Sequence, residues 1–280
     1  MSKLKIVTDS SATMEPSLRD ELEIHVMPLS VMVDGVVYPD DDQLSGEQFM
    51  AMMKNSKELP KTSQPPIGQF VELYDELGKD GSDILSIHMT STLSGTIEAA
   101  RQASQLSKSN VTVIETDMID QGLSFCVIHA ARLAQAGKTL AEVVPEVQRV
   151  LDNTKLYIGV STMENLVKGG RVSRVVGILS SILNMRVVME LQDGELLPII
   201  KGRGAKTFTK WFDGLKTELK SLPNLKQIGI SYAGGYDQVL KFKEELTALF
   251  PTMTIPLIHT TPIVSTHTGE NAFAIIFYTD

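Results

Sequence analysis

Cysteine is almost missing from this chain. Cys126 stands alone, so no intrachain disulfide can form, and its apolar helical setting (Leu123-Ser124-Phe125-Cys126-Val127-Ile128) reads as a buried structural thiol. Long apolar runs are also missing. None approaches the roughly 20 residues that a membrane-spanning helix needs. The opening Met-Ser-Lys-Leu-Lys-Ile-Val-Thr-Asp enters a strand almost at once, without the apolar region of a secretory signal. The expectation is a cytoplasmic protein with no integral membrane segment. Positive charge is in deficit: 26 Lys and Arg against 34 Asp and Glu give a formal net charge of -8, which argues against a general nucleic-acid binder. The common catalytic and metal signatures are missing as well. There is no HExxH, no CxxC, no paired histidine–carboxylate spacing, no GxSxG elbow and no Gly-Lys-Ser/Thr phosphate loop, so neither a metal site nor a cofactor is expected.

What is present is a chain of 280 residues, 42% hydrophobic, long enough for one large domain or two smaller ones. Short β-branched runs alternate with helical patterns. Strands are expected at Leu4–Val7, Ile24–Val33, Ile84–His88, Val111–Glu115, Leu156–Val160, Arg186–Leu191, Glu195–Ile200, Gln227–Tyr232, Thr254–His259 and Ala272–Tyr278. Helices are expected at Ser45–Lys54, Ile67–Gly78, Ser94–Leu106, Ile119–Gln135, Leu140–Asn153, Met163–Val167, Val175–Leu183, Thr207–Leu219 and Tyr236–Phe250. Asp34-Gly35, between valine-rich runs, reads as a hairpin turn. The alternation predicts an α/β protein of two α/β domains, residues 1–153 and 154–280, with largely parallel sheets and a ligand cleft between them. In such folds ligands sit beyond the carboxyl ends of strands, where the turns after Val7 and His88 fall.

Three Ser/Thr-rich turns carry the chemistry: Thr8-Asp9-Ser10-Ser11, Thr62-Ser63-Gln64-Pro65 and Thr90-Ser91-Thr92-Leu93-Ser94-Gly95-Thr96. Hydroxyls and free N–H groups at helix starts receive small anionic head groups, and three such turns on one cleft make a site. Each has a plainer reading as helix capping, by Asp9 or Ser10, by Ser63 or Gln64, and by Thr92 or Ser94. The third turn holds more hydroxyls than one cap uses, and Thr62 is needed for no cap. Lys168-Gly169-Gly170-Arg171-Val172-Ser173-Arg174 either ends a helix through a glycine or forms a phosphate or partner-docking loop. Lys201-Gly202-Arg203-Gly204 closes a strand pair. His267-Thr268-Gly269 falls in a turn between two strands, and its imidazole gains interest if it meets the hydroxyl turns. His25, His88, His129 and His259 read as structural or surface residues.

Taken in order, these residues resemble the DegV family of bacterial fatty-acid-binding proteins, some of which are carrier subunits of fatty acid kinase. The resemblance runs over 3–279 and rests on Thr8-Asp9-Ser10-Ser11, Thr62-Ser63-Gln64-Pro65, Leu93-Ser94-Gly95-Thr96, Asp117 with Gly122, Gly169-Gly170-Arg171, Arg203 and His267-Thr268-Gly269. It implies an acyl chain, such as palmitate or oleate, buried between the domains. Thr62 and Ser94 would hold the carboxylate, with His267 close by and Ser63 and Gly95 offering backbone contacts. Arg171 and Arg203 match positions that serve docking to an ATP-dependent kinase, which phosphorylates the bound carboxylate for phospholipid synthesis. The carrier has no catalytic residue of its own. The chain departs from the family pattern at Met89–Gly95, at Arg186-Val187 and at Glu270-Asn271, the last pair expected beside the head group.

Affinity in such a carrier comes from the chain, at about 0.8 kcal/mol per buried CH₂, and orientation from the hydroxyls. Met27, Leu29, Met32, Ile119, Leu123, Phe125, Ile128 and Ile263 are candidate tunnel walls and equally good core residues. Two rival functions remain: a Ser94/His267 acyl-ester hydrolase, for which Asp117 would be the orienting acid, and a binder of a small phosphorylated metabolite using Arg171 and Arg203.

Overall fold

The computed structural model describes residues 4–171, 184–204 and 206–280. The helix expected over Val175–Leu183, and Val172-Ser173-Arg174 before it, lie outside the described residues.

Strands β1 (Leu4–Asp9), β2 (His25–Met27), β6 (Asp83–His88) and β7 (Val111–Glu115) form a four-stranded parallel sheet in the order β2-β1-β6-β7. β1 and β6 are buried along nearly their whole length, as a sheet covered on both faces requires. Alternation sorts their side chains. Ile6, Leu85 and Ile87 join the core under helices α5 (Asp120–Gln135) and α6 (Leu140–Asp152), whereas Val7 and Ile84 pack with Phe70 and Ala103 of α3 (Ile67–Leu77) and α4 (Thr96–Leu106).

The run expected as one strand, Ile24–Val33, is two. Pro28 has no N–H to continue the ladder, so β2 stops at Met27. The chain then enters a separate antiparallel sheet of β3 (Ser30–Val33), β4 (Val36–Pro39) and β5 (Lys61–Ser63), ordered β4-β3-β5. Asp34 (φ 47°) and Gly35 (φ 85°) make the hairpin turn that Asp-Gly predicts. Helix α2 (Gly46–Asn55) opens with a capping box: Gln48 N–H donates to Ser45 Oγ at 3.2 Å, and Ser45 N–H to Gln48 Oε1 at 3.0 Å. A short helix α1 (Pro16–Glu21), which the sequence reading lacked, fills the turn before β2.

The third sheet joins β8 (Thr154–Val160), β9 (Arg186–Gln192), β10 (Glu195–Gly202), β11 (Leu225–Ala233), β12 (Leu257–His259) and β13 (Ala272–Thr279), in the order β10-β9-β8-β13-β11-β12. The α/β class stands, but the largely parallel arrangement holds only for the first sheet. Here one described pairing, β11 with β12, is parallel and the other four are antiparallel. The reason lies in the connections: β10 follows β9 by a two-residue Asp193-Gly194 turn, and β13 returns antiparallel between β8 and β11. Helices α8 (Lys206–Ser221) and α9 (Asp237–Leu249) cover one face through Phe208, Phe212 and Phe242. The other face, with Ile158, Met189 and Ala274, belongs to the same core as Ile6 and Leu85 of the parallel sheet. Among the described residues two further helices are α7 (Glu164–Lys168) and α10 (Pro262–Thr268). No described helix is long and apolar enough to cross a membrane.

Candidate functional site

Strand β5 carries Thr62, set opposite Val31 of β3. Thr62 therefore stands on a strand rather than in the turn expected before α3. Its Oγ1 lies 2.9 Å from His267 Nε2. His267 does not sit in a turn between strands either: it occupies the last turn of α10, a helix absent from the sequence reading. Pro262 at its start and Gly269 (φ 77°) past its end are the signals that mark α10, but its apolar residues are too few to show a period.

Loop 90–95 brings the second hydroxyl. Ser94 Oγ lies 2.9 Å from Thr96 Oγ1 and accepts from the Thr96 amide at 3.3 Å, so Ser94, one residue before the Gly95 N-cap, is tied to the first residue of α4 while facing the same cavity. Thr92 donates instead to the Gly194 carbonyl at the tip of the β9–β10 hairpin, fastening the loop to the six-stranded sheet. Gly95 does not line the cavity. It lies beneath Gln64, where a Cβ would fall 2.0 Å from Gln64 Oε1.

The glycine-rich turn arrives from the other side. Gly170 (φ 73°) closes α7, with Gly170 N–H bonded to Val167 O and Arg171 N–H to Leu166 O. Arg171 then turns inward, half-buried, donating from Nε to Leu93 O at 3.1 Å and from Nη1 to Gly169 O at 2.7 Å. Arg171, which the resemblance gives to docking of a partner, is thus part of the cavity lining. Arg203 stands exposed after β10 and does not line it. Burial first, and Arg171 second, hold the His267 imidazole down at about 4, so the ring is neutral at physiological pH. Its Nδ1 is buried without a hydrogen-bond partner.

These groups ring one end of a narrow cavity of about 50 Å³. Ser63 and Gln64 complete its polar end. Apolar side chains line the rest, among them Leu29, Met89, Ile158, Met189 and Ile263. Of the candidate tunnel residues, Leu29, Ile119 and Ile263 line this space. Met27, Met32, Leu123, Phe125 and Ile128 do not.

The first hydroxyl turn, Thr8-Asp9-Ser10-Ser11, lies behind the cavity rather than on it. Asp9 Oδ1 takes hydrogen bonds from Ser11 N–H (3.0 Å) and Ser11 Oγ (2.6 Å). Its Oδ2 meets His88 Nδ1 (2.9 Å) and the Met89 amide (3.1 Å). Burial, the largest influence, pushes this carboxyl up, but His88, Ser11 and the Met89 amide together hold it below its ordinary value. His88 Nε2 continues to Ser86 Oγ at 2.7 Å, and Ser86 to Tyr74 OH at 2.8 Å. The Ser86–His88–Asp9 order mimics a nucleophile relay, yet all three are fully buried and none lines the cavity. Their effect is to fix the ends of β1 and β6, the second of which leads into loop 90–95.

Asp117 faces Glu115 and Asp193 outside the cavity, and burial followed by those two charges raises its carboxyl. Gly122 packs against Leu156 and Met118. Glu270 and Asn271, expected beside the head group, instead close over Gly234 and Gly235 in an outer groove with Met50 and Met53. Among the described residues no cluster of His, Cys, Asp or Glu is arranged to hold a metal.

Three comparisons bear on this arrangement. The profile of the DegV family, described as an uncharacterised protein family, matches residues 3–280. A DegV domain-containing protein from Streptococcus pneumoniae is 53% identical over 276 residues, covering 99% of this chain and 98% of its own. The crystal structure of DegV, a fatty acid binding protein from Bacillus subtilis, superposes over all of both chains with a TM-score of 0.91 at 27% identity. A fatty-acid-binding DegV family protein from Thermus thermophilus gives a TM-score of 0.88 at 25% identity, over 99% of this chain and all of its own.

Proposed function

The chain belongs to the DegV family, and on that premise we propose that it is a non-catalytic carrier that holds a long-chain fatty acid with its carboxylate at Thr62 and Ser94. The single observation that carries this reading is the polarity of the cavity: hydroxyls, a neutral imidazole and a guanidinium at one end, and aliphatic and methionine side chains over the rest. An amphiphile with one anionic end fits that gradient. In the neutral imidazole, a proton on Nε2 donates to Thr62 Oγ1 and leaves the Thr62 hydroxyl proton free for a carboxylate oxygen. Palmitate and oleate are suitable ligands. The carboxylate held between the units 1–153 and 154–280 would be presented to an ATP-dependent kinase, with Arg171 and Arg203 serving that partner and the acyl-phosphate, in the cytoplasm.

The hydrolase reading has less support. Ser94 Oγ engages Thr96, His267 engages Thr62, and no carboxylate orients His267 Nδ1. A small phosphorylated metabolite would leave the long apolar walls unfilled. The test is mass spectrometry of the denatured purified protein together with a thermal shift on adding palmitate or oleate. A stoichiometric acid, and about 2.7 kcal/mol of stabilisation at a hundred times the dissociation constant, are expected. No lipid and no shift would overturn the carrier reading.

A further inference from the structure

The cavity is narrower than its proposed occupant. Small-ligand sites generally measure about 300–1,000 Å³, whereas this one measures about 50 Å³. An acyl chain therefore enters only if part of the lining moves. Much of that lining stands on paired strands or packed helices, which close packing holds in place. Two stretches differ. Loop 90–95 supplies Leu93 and Ser94 and belongs to no strand ladder. The β9–β10 hairpin supplies Leu196, and β10 is an edge strand with a neighbour on one side only.

These two stretches meet. Thr92 Oγ1 donates to the Gly194 carbonyl, beside Leu93 on one side and two residues before Leu196 on the other. Among the described residues this is the one hydrogen bond that ties the hairpin tip, 192–195, to a segment outside the six-stranded sheet. The fit is close. A Cβ on Gly194 would fall 2.6 Å from Thr90 Oγ1 and 3.2 Å from Thr92 Cγ2, and Gly194 takes φ 73°, which glycine adopts without a steric cost. Thr92 itself does not line the cavity. It falls in the Met89–Gly95 stretch, where the chain departs from the family pattern.

Charge works against the contact. Asp193 of the tip faces Asp117, and Asp117 Oδ1 lies 3.3 Å from the same Cβ position on Gly194. Glu115 is close by, but Arg101 pairs with it at 3.1 Å and the Ser91 amide donates to it at 2.6 Å. The contact therefore sets one hydrogen bond against like charges, a balance of small terms near the protein surface.

We propose that the Thr92–Gly194 contact is a latch on the cavity: it holds the β9–β10 tip against loop 90–95, and the acyl chain enters and leaves between Leu93 and Leu196 when it opens. The proposal rests on the carrier reading and deepens it.

The experiment is stopped-flow binding and release of parinarate, a fluorescent polyunsaturated fatty acid, on the delipidated full-length protein. Thr92→Val keeps the side chain's shape and removes the donor. Entry and release should both quicken, each by about two- to tenfold, as the loss of one hydrogen bond implies. The dissociation constant should stay within about twofold, because the closed state is weakened alike with and without ligand. Asp193→Asn keeps a good two-residue turn and removes one charge, so it should slow both rates. Faster release with unchanged entry would overturn the latch, since Thr92 would then merely support the bound state. Unchanged rates in both folded variants would overturn it too. Should Thr92→Val not fold, Thr92→Ala and Asp193→Asn must still move the rates in opposite directions. A wild type that binds no parinarate, palmitate or oleate fails differently, since that result removes the carrier reading itself.

Discussion

Thr62 and His267 are 205 residues apart in sequence and 2.9 Å apart in space, joined where the strand β5 meets the last turn of helix α10. Replacing Thr62 or Ser94 by Ala should weaken fatty-acid binding by about 1–3 kcal/mol, the cost of one lost donor to a charged acceptor. Titration calorimetry reads this directly. Intact-mass analysis after incubation with an acyl ester should show no covalent adduct on Ser94. An adduct would revive the hydrolase.

Gly169 is held against the same histidine. A Cβ there would fall 2.3 Å from His267 Nδ1 and 3.0 Å from the Asn165 carbonyl. The Asn165 side chain also donates from Nδ2 to Thr266 O at 2.9 Å, so α7 and α10 cannot simply separate. Gly169→Ala should therefore displace the imidazole and reduce head-group affinity about as much as Thr62→Ala does, at a stability cost of about 1–3 kcal/mol. The His267 ring resonances, followed by NMR, should move. Unchanged resonances would show that the turn yields instead.

Arg171 and Arg203 separate two roles. Arg171→Ala and Arg203→Ala should both purify with fatty acid, because in the proposed site two hydroxyls hold the carboxylate, yet support little acyl-phosphate formation with a cognate kinase. Arg171 already donates to two backbone carbonyls, so its loss should also loosen the contact between α7 and loop 90–95. Lipid extraction and kinase-coupled turnover decide the matter. Loss of lipid from Arg171→Ala would assign that side chain to the carboxylate.

Asp40 gives the clearest dependence on pH. Burial raises its carboxyl to about 7, against smaller lowering by Ser10, the Ile263 amide and Thr261 and a further rise from Asp9. Its folded value lies above the unfolded one, so its contribution to stability is complete below about pH 4 and is lost as pH rises through about 7. Asn in its place keeps a neutral side chain at every pH. Asp40→Asn should thus gain on wild type between about pH 5 and pH 8, by roughly 2 kcal/mol in denaturant unfolding. His267 works in the opposite direction: lowered to about 4, it contributes stability above about pH 6.5 that fades as pH falls toward 4. The Asp40→Asn comparison cancels that term, because both proteins carry it. A gap that is flat with pH would sink the assignment.

The sequence by itself determined most of the elements and the order of the ligand motifs. Runs such as Ile84–His88 and Leu156–Val160 are continuous and β-branched, and helices such as α3 and α5 show an apolar period long enough to read. Local chemistry of that kind is written within a few residues: Asp34-Gly35 needs no distant partner to turn. The family, too, was legible from short motifs in order. Elements too short to show a period, β5 and α10, were not legible, and these two carry Thr62 and His267. The direction of the strands in the six-stranded sheet was decided by pairing between distant segments, which hydrophobic pattern does not encode. Tertiary structure alone turned the first hydroxyl motif into a brace, because only folding brings His88 to Asp9. It alone drew Arg171 inward to the Leu93 carbonyl and left Arg203 in solvent, although the two glycine-flanked arginines look alike in sequence. Burial and partner are properties of the assembled core, and they decide which of two similar residues lines the cavity.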